Sequence, residues 1–173
     1  MSTSVTTILS VIQENTFTVA DMQRRLGLLR QCIETSLFTE SDIPFLEVCT
    51  NNLLQEKNTE DAQAVIAWGE TVLTSFTHDT VGTKMSAIQT AIDDLPVLTL
   101  YIPTEFPSEE IRTIGQWCRA QCDASLLMNV HIDPDVVGGC AFVWNDAYHE
   151  FSFRTRIKEH VGIITTTLSD YAK

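Results

Sequence analysis

Hydrophobic residues recur every three or four positions along the first 95 residues of the chain. The strongest stripe follows Thr18 and consists of Val19, Met22, Leu26, Leu29, Ile33 and Leu37. Side chains with these spacings share one side of an α-helix, which marks the side that is buried. Shorter stripes of the same kind precede and follow it, so the pattern predicts five amphipathic helices joined by short loops. Such helices pack as an antiparallel bundle, which we expect to span residues 1–96.

Polar residues predict where several of these helices begin. Thr18 stands three residues before Asp21, an arrangement close to a capping box. Ser41 or Asp42 is expected to cap the third helix, and Thr59 the fourth. None of the five predicted core faces carries a charged residue, so we expect no buried catalytic site in this half of the chain.

The hydrophobic period changes at Pro96. Residues 97–102 are rich in β-formers and predict a strand, and residues 126–132 predict a second one. Between them, Ser108 is a good N-cap for a helix. A strand, a helix and a strand within about 35 residues indicate a right-handed crossover between two parallel strands.

A hairpin is predicted after the second strand. Gly138-Gly139 begins an apolar run and indicates a β-bulge or a backbone with positive φ. Residues 140–144 and 147–151 predict two strands, and Asn145-Asp146 is the turn that joins them. This hairpin would extend the sheet.

The last predicted helix runs from about Phe153 to Tyr171, and Ser152 can cap it. A helix of this length spans about 28 Å, whereas a short sheet is about 20 Å across. Its final turns are therefore expected to protrude and to meet another protein. The predicted fold class is α + α/β, in which an N-terminal antiparallel helical bundle (1–96) precedes a small mixed β-sheet domain with two helices (97–173).

The order of residues from Ile132 to Arg156 resembles the C-terminal domain of the delta subunit of F-type ATP synthases, the oligomycin-sensitivity-conferring protein family. The matching pieces are Asp133-Pro134, Gly138-Gly139, the Asn145-Asp146 turn, Ser152, and Arg154-Thr155-Arg156-Ile157. The match departs where the family's usual Asp-Gly-Ser is Glu150-Phe151-Ser152, and where its turn glycine is missing. The motif residues are expected to be mainly structural: Asp133, Pro134, Gly138, Gly139, Ser152, Arg154 and Arg156.

The resemblance implies a non-catalytic stator subunit that needs no cofactor or metal. In that family a six-helix N-terminal domain grips the N-terminal segments of the alpha subunits, and the C-terminal domain binds the ends of the stalk b subunits. Together they keep the catalytic head from turning during proton-driven ATP synthesis. For the stalk contact we expect Ile164, Leu168 and Tyr171. The implied location is peripheral, on the cytoplasmic face of a bacterial plasma membrane, or on the matrix or stroma side in an organelle.

Composition narrows the possible partners. The formal net charge of −12 opposes binding to nucleic acids and to anionic lipids, because both carry negative charge. The sequence contains no run of 18 apolar residues, so no insertion into a bilayer is expected. The N-terminal residues also lack the basic-then-apolar layout of a signal peptide.

Two other functions remain open from the sequence. One is the stalk subunit of a vacuolar or archaeal-type ATPase, although the short capped helices before Pro96 argue against the long heptad-like helix of those chains. The other is a small α/β enzyme that uses a thiol or zinc. Candidate residues for such a site are Cys118, Cys122, His131 and Cys140, or Cys140 with His149 as a nucleophile pair. Buried, reduced thiols are the favoured interpretation of all five cysteines.

Overall fold

The fold is mixed helix and sheet, of the α+β class. The computed structural model describes residues 4–38, 45–55, 59–77 and 79–171, and within them it contains eight helices and one four-stranded sheet. Six helices precede Pro96: α1 (Val5–Glu14), α2 (Val19–Phe38), α3 (Phe45–Leu54), α4 (Thr59–Ala67), α5 (Gly69–Leu73) and α6 (Val81–Asp93). The remaining elements are β1 (Val97–Ile102), α7 (Ser108–Gln121), β2 (Leu127–Ile132), β3 (Ala141–Trp144), β4 (Ala147–Glu150) and α8 (Phe153–Tyr171).

The prediction of five helices before Pro96 is wrong by one. The predicted fourth helix is divided into α4 and α5 at Gly69, whose φ is +69°. A left-handed residue cannot continue a right-handed helix, and glycine adopts this conformation at no steric cost.

One predicted helix cap is confirmed and another is wrong. Thr18 caps α2, because its Oγ1 accepts a hydrogen bond of 3.0 Å from the backbone N–H of Asp21. Ser108 is not the N-cap of α7: Pro107 occupies that position, and the Ser108 hydroxyl donates to Glu60 at 3.2 Å. The predicted caps Ser41 and Asp42 lie outside the described residues.

The sheet has the predicted topology. Its strand order is β2-β1-β3-β4, and β1 pairs with β2 in parallel from Val97↔Leu127 to Ile102↔Ile132. Strand β3 adds to the other edge of β1, antiparallel, and pairs with β4. Asn145 and Asp146 both have positive φ (49° and 61°), which is the geometry of a two-residue primed turn that matches strand twist. The parallel pair and the hairpin are therefore confirmed.

The apolar core consists of two clusters. One is formed by the first six helices and includes Ile8, Ile12, Met22, Leu29, Ile33, Leu53, Val65 and Ile88. The other lies between α7 and the sheet and includes Leu98, Leu100, Ile102, Cys118 and Met128. Two residues cross over: Phe17, from the α1–α2 connection, packs in the sheet cluster, and Leu127 of β2 packs in the helical one.

Both backbone and side-chain hydrogen bonds attach the α1–α2 connection to the sheet half. Met128 donates its N–H to the carbonyl of Phe17 at 2.8 Å, and Thr18 pairs with Met128 as a short parallel bridge. Arg119 of α7 donates to the carbonyls of Gln13 (2.5 Å), Thr16 (2.7 Å) and Leu126 (2.9 Å). Its guanidinium also lies 4.5 Å above the ring centroid of Phe17, a cation–π contact. Burial lowers the pKa of Arg119 below its ordinary value.

Replacing Arg119 with alanine is expected to destabilise the protein by about 2–4 kcal/mol, because three carbonyls each lose one hydrogen bond and the Phe17 contact is lost. A matched control is Arg112→Ala on the same helix, where the guanidinium is exposed and pairs with Glu109 at 2.5 Å. That change should cost less than about 1 kcal/mol. Urea unfolding curves compare the two, and equal losses would contradict the structural role of Arg119.

A charged cluster lies inside the helical half, where the sequence predicted none. Asp61 is 2% exposed and Arg25 is 5% exposed, and the Arg25 Nε donates to Asp61 at 2.8 Å. Arg24 donates to the other carboxylate oxygen at 2.9 Å. Arg25 also reaches the carbonyl of Asn15 (2.6 Å) and the hydroxyl of Thr16 (3.1 Å). The cluster thus fixes the α1–α2 connection against α4, and the expectation of an uncharged core is wrong.

The cysteines differ from the expectation of five buried thiols. Cys32 is buried but engaged in a disulfide bond. Cys118 is a buried free thiol, Cys140 is half-buried and Cys122 is exposed. Burial raises the pKa of the Cys118 thiol, with smaller contributions from Cys122 and Cys140, so this thiol is protonated and unreactive at neutral pH.

Candidate interaction surface

Helix α8 extends away from the rest of the protein. Every residue from Arg156 to Tyr171 is exposed. Leu168 is 64% exposed and Tyr171 88%. A contiguous patch of such side chains, unlike a single one, marks an interaction site.

Six of the seven large apolar side chains of α8 form one continuous stripe, and the seventh, Ile163, lies outside it. The stripe consists of Phe153, Ile157, Val161, Ile164, Leu168 and Tyr171, all exposed. At about 100° per residue these six positions fall within an arc of about 80°. The stripe contains the three residues that the sequence analysis expected at a stalk contact, Ile164, Leu168 and Tyr171.

Several residues of α8 outside the stripe carry hydroxyls, and these hydroxyls are already bonded. Thr165, Thr166 and Thr167 donate to the carbonyls four residues before them, at 2.8–2.9 Å. Ser169 does the same with the carbonyl of Thr165. Because these donors are satisfied within the helix, the apolar stripe is the side available to a partner.

The glycine turn at residues 138–139 sets the start of α8. Both glycines have positive φ, 66° and 73°. A Cβ on Gly138 would overlap the ring of Phe153, and one on Gly139 would overlap the carbonyl oxygen of Phe151. The N–H of Phe153 donates to the carbonyl of Val137 at 3.0 Å. Only glycine allows this close approach, so the pair is structural.

The other motif residues surround the same turn. Asp133 accepts a hydrogen bond of 2.9 Å from the N–H of Asp135, as an Asx turn does, and Pro134 between them is exposed. Ser152 is buried directly before α8, and its hydroxyl bonds Glu150. Arg154 lies 3.4 Å from Asp135. Arg156 instead lines a groove with Val137, Gly138, Phe153, Ile157 and Ile164, a cavity of about 350 Å³.

A second cavity of about 310 Å³ lies between the two halves, at the carboxyl ends of β1 and β2. Both of its arginines already have carboxylate partners within the protein: Arg25 binds Asp61, and Arg112 binds Glu109. Glu60 accepts a hydrogen bond from the hydroxyl of Ser108. The cavity therefore offers little free charge to a ligand.

The residues considered for a zinc or thiol enzyme do not form a centre. In the described ranges, no three His, Cys, Asp or Glu side chains are placed to hold a metal ion. His131 is stacked on Tyr101 with ring centroids 5.5 Å apart, and His149 lies 5.0 Å from Phe142. Trp117 is 64% exposed on α7.

None of the helices in the described part of the chain combines the length and apolarity that crossing a membrane requires. In comparisons with known proteins, no family model and no curated sequence matches this chain. Any functional conclusion therefore depends on the motif residues and on the exposed stripe of α8.

Proposed function

We propose that the chain is a non-catalytic peripheral-stalk subunit of an F-type ATP synthase, of the delta type. The observation that carries the proposal is the exposed apolar stripe of α8, six large side chains on a 19-residue helix with no cover. A tether works through such a surface, because burial of apolar area supplies affinity without any reactive group.

The architecture supports the same proposal. Six helices precede Pro96, the number that the resemblance implies for the N-terminal domain, and a small mixed sheet follows. In this proposal the six helices form an antiparallel bundle that docks the alpha-subunit N-termini. Residues 97–173 form the α/β domain that binds the stalk b subunits.

The contacts between the halves also suit a stator. A stator transmits a turning force, so its two ends must move together. The bonds of Arg119 to the carbonyls of Gln13 and Thr16 join the sheet half to the α1–α2 connection. A flexible linker would transmit such a force poorly.

The proposed location is the cytoplasmic face of a bacterial plasma membrane, or the matrix or stroma side in an organelle. The net charge of −12 is compatible with a peripheral subunit that meets proteins rather than anionic lipid.

Changing Leu168 to aspartate is expected to weaken binding to the stalk b subunits at least about tenfold, because a charge would be buried in an apolar contact. The fold should be unchanged, since the side chain is 64% exposed. The measurement is co-elution of the full chain with stalk b subunits, with circular dichroism as the check on folding.

Thr166→Asp is the matched control for this experiment. Thr166 lies about 180° around the helix from the middle of the stripe, and the same residue type is introduced. Its binding should stay within about threefold of the unmodified chain. Wild-type yield of the Leu168→Asp complex, or equal losses in both variants, would refute the proposed surface.

A further inference from the structure

Strand β4 is a free edge of the sheet. In the strand order β2-β1-β3-β4 it has β3 on one side, and within the described part of the chain no strand lies on the other. All four of its residues, Ala147–Glu150, are exposed. The other edge strand, β2, is already bridged at Met128, which pairs with Thr18 of the α1–α2 connection. Strand β4 is therefore the edge that is open to an added strand.

The hairpin register determines which backbone groups of β4 point outward. Phe151 donates its N–H to the carbonyl of Cys140 at 2.9 Å, directly after the paired residues of β3 and β4. Hydrogen-bonded and non-hydrogen-bonded positions alternate along an antiparallel pair, so His149 also bonds to β3. The N–H and C=O groups of Tyr148 and Glu150 then point away from the sheet, two donors and two acceptors that lack a strand partner among the described residues.

The sequence of β4 carries few of the features that protect exposed edges. Natural sheets block such edges with lysine, proline, bulges or covering segments. This strand is Ala-Tyr-His-Glu, and its pairing with β3 runs without a bulge. Its length of four residues is the one protective feature present. An extended segment of another chain can therefore continue the sheet, the mode of recognition called β-strand addition.

The charges around Tyr148 are mostly negative. Desolvation, and after it the carboxylates of Glu150 and Asp133, raises the pKa of Tyr148, while Arg154 acts in the opposite direction. The guanidinium of Arg154 also lies 3.4 Å from Asp135, which offsets its positive charge. Two carboxylates and one already paired arginine thus surround the middle of the edge.

The rest of the edge does not reverse this balance. Asp146 adds a negative charge at the turn, and β4 itself contains neither Lys nor Arg. The basic residues Arg156 and Lys158 lie further along α8 and are not among the charges that act on Tyr148. Charge complementarity at this edge therefore selects a basic partner.

We infer that the outer edge of β4 accepts an extended segment of a partner protein that carries Lys or Arg at every second position. Backbone hydrogen bonds to Tyr148 and Glu150 supply the affinity. The side chains of these two residues share one face of the sheet, so a basic side chain opposite them meets the carboxylate of Glu150 and the ring of Tyr148. The inference does not rest on the stripe of α8 or on a helical partner.

A second copy of this chain fits the edge less well. An antiparallel pair of β4 strands centred on His149 would bring Asp146 and Glu150 of both copies into one short contact, two carboxylates from each copy. The net charge of −12 on each chain adds to the repulsion. Self-pairing is therefore an outcome that the test must exclude.

The test uses the full chain and three seven-residue peptides, Thr-Xaa-Val-Xaa-Val-Xaa-Thr, in which Xaa is Lys, Gln or Glu. An edge of four residues buries little area, so the complexes should be weak and NMR titration suits them. The Lys peptide should bind at least about threefold tighter than the Gln peptide and at least about tenfold tighter than the Glu peptide, and salt should reduce both differences.

Amide exchange tests the strand geometry directly. Binding of the Lys peptide should slow hydrogen exchange at the N–H groups of Tyr148 and Glu150, whereas the N–H of His149 is already bonded to β3 and should change little. In an antiparallel arrangement the Lys residues of the peptide turn their N–H groups toward β4. N-methylation of the Lys amides should therefore abolish binding, and N-methylation of the Val amides, the matched control, should not.

Two substitutions of Tyr148 separate the backbone from the side chain. Tyr148→Pro removes an outward N–H without removing a bond to β3, a change that edge strands tolerate, and should abolish binding of the Lys peptide. Tyr148→Thr, the matched control, keeps the N–H and should lower the affinity by no more than about fivefold. Circular dichroism checks that both variants are folded.

A further variant tests the charge. Asp146→Asn combined with Glu150→Gln removes two negative charges, and asparagine tolerates the positive φ of 61° at position 146. The glutamine oxygen can still accept the hydrogen bond that the Ser152 hydroxyl donates to Glu150. Affinity for the Lys peptide should fall at least about threefold, and affinity for the Gln peptide should not change.

Each contrary result overturns a defined part of the inference. Equal affinities of the three peptides overturn the basic partner, and unchanged exchange at Tyr148 and Glu150 overturns strand addition. A dimer in sedimentation equilibrium that Tyr148→Pro dissociates would assign the edge to a second copy and also overturn the inference. The effect of Leu168→Asp on stalk binding tests the proposed function separately.

Discussion

Replacing Asp61 with alanine is expected to lower the free energy of unfolding by about 3–5 kcal/mol, because it leaves the buried guanidinium of Arg25 without its counter-charge. The carboxylate accepts from Arg25 Nε at 2.8 Å and from Arg24 Nε at 2.9 Å. In a protein with a typical total stability of about 5–15 kcal/mol, a loss of this size is large. Urea unfolding followed by circular dichroism provides the measurement.

Glu60→Ala is the matched control for Asp61→Ala. Glu60 is the neighbouring acid in the first turn of α4 but is exposed. Both acids interact favourably with the N-terminal end of the helix dipole, so the control removes that contribution without uncovering a buried charge. It should cost less than about 1 kcal/mol. A loss below about 1 kcal/mol for Asp61→Ala would show that Arg25 is solvated without its partner.

The same carboxylate predicts a pH dependence. Burial alone would raise the pKa of Asp61, but the hydrogen bonds and charges of Arg24 and Arg25 outweigh it and hold the pKa below its ordinary value of 3.8. A depressed pKa in the folded state stabilises the protein above the unfolded pKa, and that contribution is lost as pH falls through the folded value. The stability difference between the wild-type chain and Asp61→Ala should therefore be constant near neutral pH and decrease below about pH 4.

Replacing Gly139 with alanine is expected to cost at least about 2–3 kcal/mol, from a left-handed backbone and a steric overlap together. The φ of Gly139 is +73°, and a Cβ there would overlap the carbonyl oxygen of Phe151. That carbonyl belongs to the segment that leads into α8, so the first turn of the helix must shift. Thermal unfolding gives the cost, and limited proteolysis near Phe151 reports the local change.

Gly69→Ala isolates the contribution of the backbone alone. Gly69 has a similar φ of +69°, but a Cβ there would meet nothing within 4 Å. Its replacement should cost about 1 kcal/mol, the usual cost of a non-glycine residue in this conformation. If the two substitutions lower the free energy of unfolding equally, the close approach of Gly139 to Phe151 contributes nothing to the cost.

The sheet half was predicted from the sequence better than the helical half, because short sequence signals specify its local geometry. Asn145-Asp146, Gly138-Gly139 and the change of period at Pro96 each specify geometry within a few residues, and the topology rules supply the rest. The break at Gly69 could also have been found, because a glycine within a helical pattern is a recognised signal of interruption.

Other features could not be predicted because they join residues that are distant in sequence. Arg119 bonds carbonyls more than 100 residues away, and their positions depend on how the two halves pack. Asp61 resembles an ordinary acid at a helix start, so its burial beside Arg25 gives no sequence signal. The exposed stripe of α8 was anticipated only through a length comparison, and its role in stalk binding stays a prediction.

Under the proposed function, the uncovered length of α8 has a consequence for the amount of this protein in a cell. A copy made without its partner presents a helix whose order depends on an absent surface, so proteases should cleave it there first. Copies that are assembled would be protected. The abundance of the subunit would then follow the abundance of its partner, and matched stoichiometry would be maintained by degradation rather than by synthesis alone.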